Sequence, residues 1–119
     1  MTIAKEFTFD SSHILPDEEC YGKCKNLHGH TYKLIVEITG KINSKGWVIN
    51  FSDLKIIVNE KVINKLDHNH INNLILLPTA ENIINWIYLQ IKNDIEKLDI
   101  KLTNIILWET PTSYAKLNP

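Results

Sequence analysis

His28-Gly29-His30 places two imidazoles at i and i+2, on one face of an extended chain. His13 lies at the end of an earlier alternating segment, which a hairpin would bring alongside the start of the segment carrying the pair. Three neutral nitrogen ligands with one position left open form the usual catalytic zinc site, where water or substrate takes the fourth place. Gly29 leaves room for the backbone to bend around an ion. Two other readings stay open on spacing alone. The histidines can be polar strand-end residues without a metal. Cys20, Cys24, His28 and His30 also make a chemically reasonable closed Cys₂His₂ set, although H-x-H is not the usual zinc-finger spacing.

Two further constellations carry chemistry. Asp67-His68, in the run Leu66-Asp67-His68-Asn69-His70-Ile71-Asn72, puts an acid beside an imidazole that can orient and charge-tune it or a neighbouring acid. A polar helix C-terminus, where His suits the dipole, is the plainer reading. Glu109 ends a strongly apolar run, Ile105 to Leu107. It could accept two bonds from a guanidine-like heterocycle edge, or be a solvated strand end. Cys20 and Cys24 stand too close for a useful disulfide framework and read as a thiol pair serving chemistry.

These side chains must be positioned by one small domain, which the length of 119 residues predicts over 1–119. Hydrophobic residues make up 44% and charged ones 23%, enough for a real core and against disorder. All 13 basic residues are Lys, against 14 acidic ones, for a net charge of −1. That balance offers no basic excess for nucleic acid. Without Arg, phosphate must be met by Lys, hydroxyls or backbone N–H groups. No apolar run is long enough to span a membrane and Met1 to Glu6 lacks a signal-peptide pattern, so a cytoplasmic chain with no membrane partner is expected.

Alternation from Thr2 to Ser12, with Ile3, Lys5, Phe7 and Phe9 on one face, predicts a half-buried strand. A second runs from Thr31 to Gly40, with Tyr32, Leu34, Val36 and Ile38 inward. The polar stretch Pro16 to Leu27 between them is too long for a tight turn, and such loops are usually functional. Trp47 to Phe51 reads as a brief continuation of the sheet. Leu54, Ile57, Val58, Val62 and Leu66 then recur at helical spacing, with Ser52 and Asp53 available to cap and charge the start. Thr79 is a plausible N-cap for a second helix, whose stripe is Ile83, Ile87, Ile91, Ile95 and Leu98. Strands follow over Thr103 to Glu109 and Tyr114 to Leu117. The order ββααββ predicts an α+β fold: a four-stranded antiparallel sheet with two helices on one face.

Taken in order, Phe9-Asp10-Ser11-Ser12-His13, Cys24-Lys25-Asn26-Leu27-His28-Gly29-His30-Thr31-Tyr32, Asn50-Phe51-Ser52-Asp53-Leu54-Lys55, Leu66-Asp67-His68, Pro78-Thr79-Ala80-Glu81-Asn82 and Trp108-Glu109-Thr110 resemble the 6-pyruvoyl-tetrahydropterin synthase family. The resemblance spans nearly the whole chain. It implies a T-fold (tunnelling fold) in which three subunits join four-stranded sheets into a twelve-stranded barrel, and two trimers commonly stack. A homo-oligomer, trimer or dimer of trimers, is therefore expected; barrel closure would remove exposed sheet edges. By the same resemblance, His13, His28 and His30 hold Zn2+, Cys24 is the general base, and Asp67 and His68 are its proton relay. Glu109 anchors a pterin ring, with Thr79 nearby.

Within the family, the chain looks most like the short bacterial members that act early in queuosine (7-deazaguanine) synthesis. The implied substrate is 7,8-dihydroneopterin triphosphate, and the implied products are 6-carboxytetrahydropterin, acetaldehyde and triphosphate. Triphosphate elimination without side-chain cleavage is the alternative activity, and a pterin-binding module without catalysis is another. A further branch, with Glu in place of the Cys, runs an aldolase-like cleavage, against which Cys24 argues. The redox change is internal to the substrate, and the chain has no G-x-G-x-x-G dinucleotide fingerprint. Cys20 departs from the family pattern as a second thiol on the same loop.

Overall fold

The computed structural model describes residues 1–119. Strand β1 (Thr2–His13) pairs antiparallel with β2 (His28–Thr39) along their whole lengths, from Thr2 opposite Thr39 to His13 opposite His28. The alternation read from sequence is the observed burial: Phe7, Phe9, Tyr32, Leu34, Val36 and Ile38 are buried on one face. Both strands run further toward the loop than their apolar pattern indicates, and those added residues are the ones that carry the histidines.

Helix α1 comprises Phe51–Val58, a π-helical turn Asn59–Ile63 and a last α-turn Asn64–Leu66. Its buried residues Leu54, Val58, Val62 and Leu66 recur every four positions. In an uninterrupted α-helix, turning about 100° per residue, three such steps would carry Leu66 about 120° off the core face. The extra residue of the π-turn takes back about one residue's rotation, leaving Leu66 about 20° from Leu54. The helix therefore stays seated until Asp67.

After β3 (Asn69–His70) comes helix α2 (Ala80–Glu96), then β4 (Lys101–Thr110) and β5 (Ser113–Leu117). The Thr79 hydroxyl accepts from the Asn82 N–H at 3.3 Å, so the expected N-cap is in place. Ile83, Ile87, Ile91 and Ile95 are wholly buried. Both helices pack on the same face of the sheet, and 22 buried apolar residues form one contiguous cluster. No helix is long and apolar enough to cross a membrane.

Four expectations need correction. The sheet has five strands in the order β3-β1-β2-β4-β5, because Asn69 and His70 add a short parallel rung beside Ser11 and Ser12. Trp47 to Phe51 is not a strand: a turn closed by Asn43 and Trp47 leads into it, Val48 and Ile49 enter the core, and Phe51 already begins α1. Asn50, rather than Ser52 or Asp53, caps α1, its side chain accepting from the Ser52 N–H at 2.9 Å. Leu98 is 47% exposed, because α2 ends at Glu96 and the chain reverses at Asp99 with φ of 61°.

Candidate active site

The β1–β2 register delivers His13, His28 and His30 to one end of the sheet, on its helix-covered face. Their ring centroids lie 4.4, 5.1 and 4.8 Å apart, with planes at 65°, 79° and 88°. The His13 Nδ1–H donates to the Pro78 carbonyl at 2.8 Å, and the His28 Nδ1–H donates to the Asn26 carbonyl at 2.7 Å. With Nδ1 committed to a carbonyl, each ring turns Nε2 toward the cluster as its ligand atom. Those two Nε2 atoms face each other at 2.8 Å. Two acceptors so close require a cation between or beside them, a proton or a metal.

The His30 Nε2 atom is buried without any partner. Burial is the main force pushing both His13 and His30 below the ordinary histidine value, with the Pro78 bond opposing it at His13 and the Glu109 charge at His30. Both are thus held in the neutral form that ligates metal. Ligand atoms of the three residues lie within 4.8 Å of one another. Two carbonyl-fixed tautomers, an orphaned third nitrogen and all-nitrogen donors fit zinc with an open position. Neither cysteine belongs to this cluster, so the closed Cys/His arrangement is not the one the fold assembles.

Asn72 reaches back from beyond α1 to grip the residue after His13. Its side-chain oxygen accepts from the Ile14 N–H at 2.9 Å, and its amide donates to the Ile14 carbonyl at 2.8 Å. The chain on either side of His13 is thereby tied down, by strand pairing before it and by this clamp after it. Sequence reasoning missed Asn72, the Pro78 carbonyl and the Asn26 carbonyl. Backbone acceptors leave no signal in residue type.

Cys24 sits half-buried on the loop between β1 and β2, in a 3-10 segment, Glu19–Lys25, kinked at Gly22 with φ of 53°. The Leu15 N–H donates to the Cys24 carbonyl at 3.0 Å and pins the loop against the end of β1. Cys20, on the same segment, is exposed. A cleft of about 250 Å³ is lined by Cys24, His13, Thr79 and Glu109, with Leu15 and Tyr114 at its sides. Glu109 lies on β4 with its Oε1 3.8 Å from His30 Nε2.

Asp67 and His68 form a second group. Asp67 accepts from the Asp10 N–H at 2.9 Å and lies 3.0 Å from His68 Nδ1. The Asp10 N–H bond, then the His68 contact, holds the Asp67 carboxyl below the usual carboxylate value. Ser11, buried, donates to the Leu66 carbonyl and fixes the end of α1 to β1. His68 of this pair lines a polar cleft of about 520 Å³ with Ser12, His30 and His70. Within one chain, then, the structure gathers His13, His28, His30, Cys24, Thr79 and Glu109. It places His68, with Asp67 beside it, at a different cleft, one that His30 also lines.

A family model described as 6-pyruvoyl tetrahydropterin synthase matches residues 2–119. The chain belongs to the 6-pyruvoyl tetrahydropterin synthase family. A 6-carboxy-5,6,7,8-tetrahydropterin synthase of Haemophilus influenzae is 40% identical, covering 96% of this chain and 96% of its own. A dihydroneopterin monophosphate aldolase of Pyrococcus furiosus is 39% identical over 86% of this chain and 83% of its own. The solved 6-pyruvoyl tetrahydropterin synthase of Caenorhabditis elegans superposes with a TM-score of 0.89, covering 100% of this chain and 95% of that one, at 23% identity. That likeness establishes the T-fold expected of the family.

Proposed function

We propose that this family member converts 7,8-dihydroneopterin triphosphate to 6-carboxy-5,6,7,8-tetrahydropterin, acetaldehyde and triphosphate, as in queuosine synthesis in the cytoplasm. The observation that carries the reading is the convergence of three imidazoles, a half-buried thiol and a carboxylate at one end of the sheet. Relatives named 6-carboxy-5,6,7,8-tetrahydropterin synthase support the same activity.

His13, His28 and His30 would hold zinc, which when bound supplies Lewis-acid stabilisation to hydroxyl oxygens of the substrate side chain. Cys24, across the cleft, takes the proton from the adjacent carbon as thiolate. Glu109 accepts from the ring N–H and amino group of the pterin, two charge-assisted bonds that fix its plane. Thr79, on the same wall, orients the other side of the ring. Leu15 and the loop that bears Cys24 narrow the cleft and limit water around the thiol.

Asp67-His68 would relay the proton onward, and its position supports a homo-oligomeric site, a trimer or dimer of trimers. One chain opens Cys24 and His68 into separate clefts, so a neighbouring copy would bring one group to the other. Both outer edges of the sheet favour such closure. The β1 edge is covered only at Ser11 and Ser12, and β5 has no strand beyond it.

The test is incubation of zinc-loaded protein with 7,8-dihydroneopterin triphosphate, followed by mass spectrometry and an acetaldehyde assay. Expected products are 6-carboxytetrahydropterin, acetaldehyde and triphosphate. Triphosphate with 6-pyruvoyltetrahydropterin and no acetaldehyde would assign the family's other synthase activity. Glycolaldehyde release would place the chain with aldolase-type relatives, and ligand binding without turnover would make it a pterin-binding module.

A further inference from the structure

Tyr32 is wholly buried, its ring stacked on Phe9 at a centroid distance of 4.9 Å and an angle of 11°. Its hydroxyl nevertheless has no hydrogen-bond partner. A phenylalanine would fill the same space and stack equally well without burying an unmet donor, which is destabilising in a protein interior. The hydroxyl therefore needs a structural reason.

The β2–β4 register supplies a direction. Leu34 is opposite Leu107 and Lys33 opposite Trp108, the last pair of the ladder, so Tyr32 and Glu109 are the residues that follow it on the two strands. Tyr32, Leu34 and Leu107 are buried on the helix-covered face, and Glu109, where the pairing of β4 with β5 shifts register, lines the cleft beside His13 on that face. One other buried side-chain polar atom lacks a partner, His30 Nε2. The His30 ring lies 5.5 Å from that of Tyr32, and its Nε2 is 3.8 Å from Glu109 Oε1, too long for a hydrogen bond. His30 Nε2 thus borders the Glu109 carboxylate, and the same charge, after burial, helps push the Tyr32 phenol upward. Metal ligation would take the His30 lone pair and still leave the phenol unmet. At neutral pH a phenol is a donor, and the nearby charge is an acceptor.

We propose that Tyr32 is a positioning residue for Glu109: its hydroxyl donates to one buried water, which donates in turn to the Glu109 carboxylate and holds it toward the cleft. This extends the pterin-anchoring role proposed for Glu109, and rests on it for the ligand but not for the Tyr32–Glu109 link.

The experiment is a double-mutant cycle on the metal-loaded protein with Tyr32→Phe, Glu109→Met and the double variant, zinc content being measured in each. Tyr32→Phe should lower the unfolding midpoint by about 3–6 °C beside Glu109 and by under about 1 °C beside Met. Neopterin, titrated by fluorescence, should bind about five- to twenty-fold more weakly to Tyr32→Phe with zinc unchanged. Equal or higher stability of Tyr32→Phe in both backgrounds would overturn the proposal, since the hydroxyl would then be an unrelieved defect. Coupled stabilities with unchanged neopterin affinity would also overturn it as a positioning role. If the parent protein binds no neopterin while the stabilities couple, the Tyr32–Glu109 link stands and the pterin reading of Glu109 falls instead.

Discussion

Replacing His28 with Ala tests the metal centre most directly. His28 contributes one of two Nε2 atoms that face each other at 2.8 Å, with both Nδ1 atoms committed to backbone carbonyls. Structural zinc sites with four ligands bind with about 10–16 kcal/mol, so one ligand is worth about 3–4 kcal/mol. Loss of His28 should weaken zinc about 10²- to 10³-fold. At a free zinc concentration about 100 times the parent Kd, binding stabilises the fold by about 2.7 kcal/mol, or about 8–16 °C at this chain length. At the same concentration His28→Ala should retain below about 0.5 kcal/mol, a shift of no more than about 3 °C. Scanning fluorimetry in zinc-buffered and chelated solutions reads the shifts, and elemental analysis reads occupancy. Stoichiometric zinc and a full shift in His28→Ala would refute the three-histidine assignment. Zinc lost instead from Cys20→Ala would point to ligation by the thiols.

Cys24→Ala should keep zinc and fold but lose turnover by about 10²- to 10⁴-fold, while Cys20→Ala stays active; equal losses in steady-state assays would count against Cys24 as the base. Glu109→Gln turns an anionic acceptor into a partly mismatched donor and should lower kcat/KM by about thirty- to a thousand-fold without changing zinc content, which kinetics with elemental analysis will check. Asn72→Ala removes both bonds to Ile14 and should weaken zinc about ten-fold, as loss of an outer-shell support does; competition with a chromophoric chelator measures it. Acid should destabilise the metal-free protein. His13 and His30 are held below 6.5 by burial, so in that range the unfolded chain binds more protons than the folded one. The unfolding midpoint of the metal-free protein should therefore fall as pH drops through 6.5 and below, and His13→Gln should flatten that slope.

Much of the architecture is legible in local pattern. Alternation along Thr2 to Ser12 and Thr31 to Gly40, the isoleucine stripe of α2, and Thr79 as its cap all depend on neighbours a few residues apart. The H-x-H pair is legible for the same reason, since a strand's period of two puts both rings on one face. Even the π-turn leaves a trace, because Leu54, Val58, Val62 and Leu66 keep a four-residue spacing that a regular helix could not hold on one face. Tertiary structure decided the rest. Asn50 won the cap of α1 over its equally suitable neighbours because Trp47 to Ile49 folds into a turn and the core instead of a strand. The short β3 rung exists because α1 ends beside β1, tied there by Ser11, Asp10 and Asp67. His13 has its tautomer set by a carbonyl 65 residues away, and Ile14 is clamped by a side chain 58 residues away. Separations of that size carry no period for a sequence pattern to display. The division between the Cys24 cleft and the His68 cleft is of the same kind. Residue types indicate what each group can do, but which groups share a space depends on how distant segments pack.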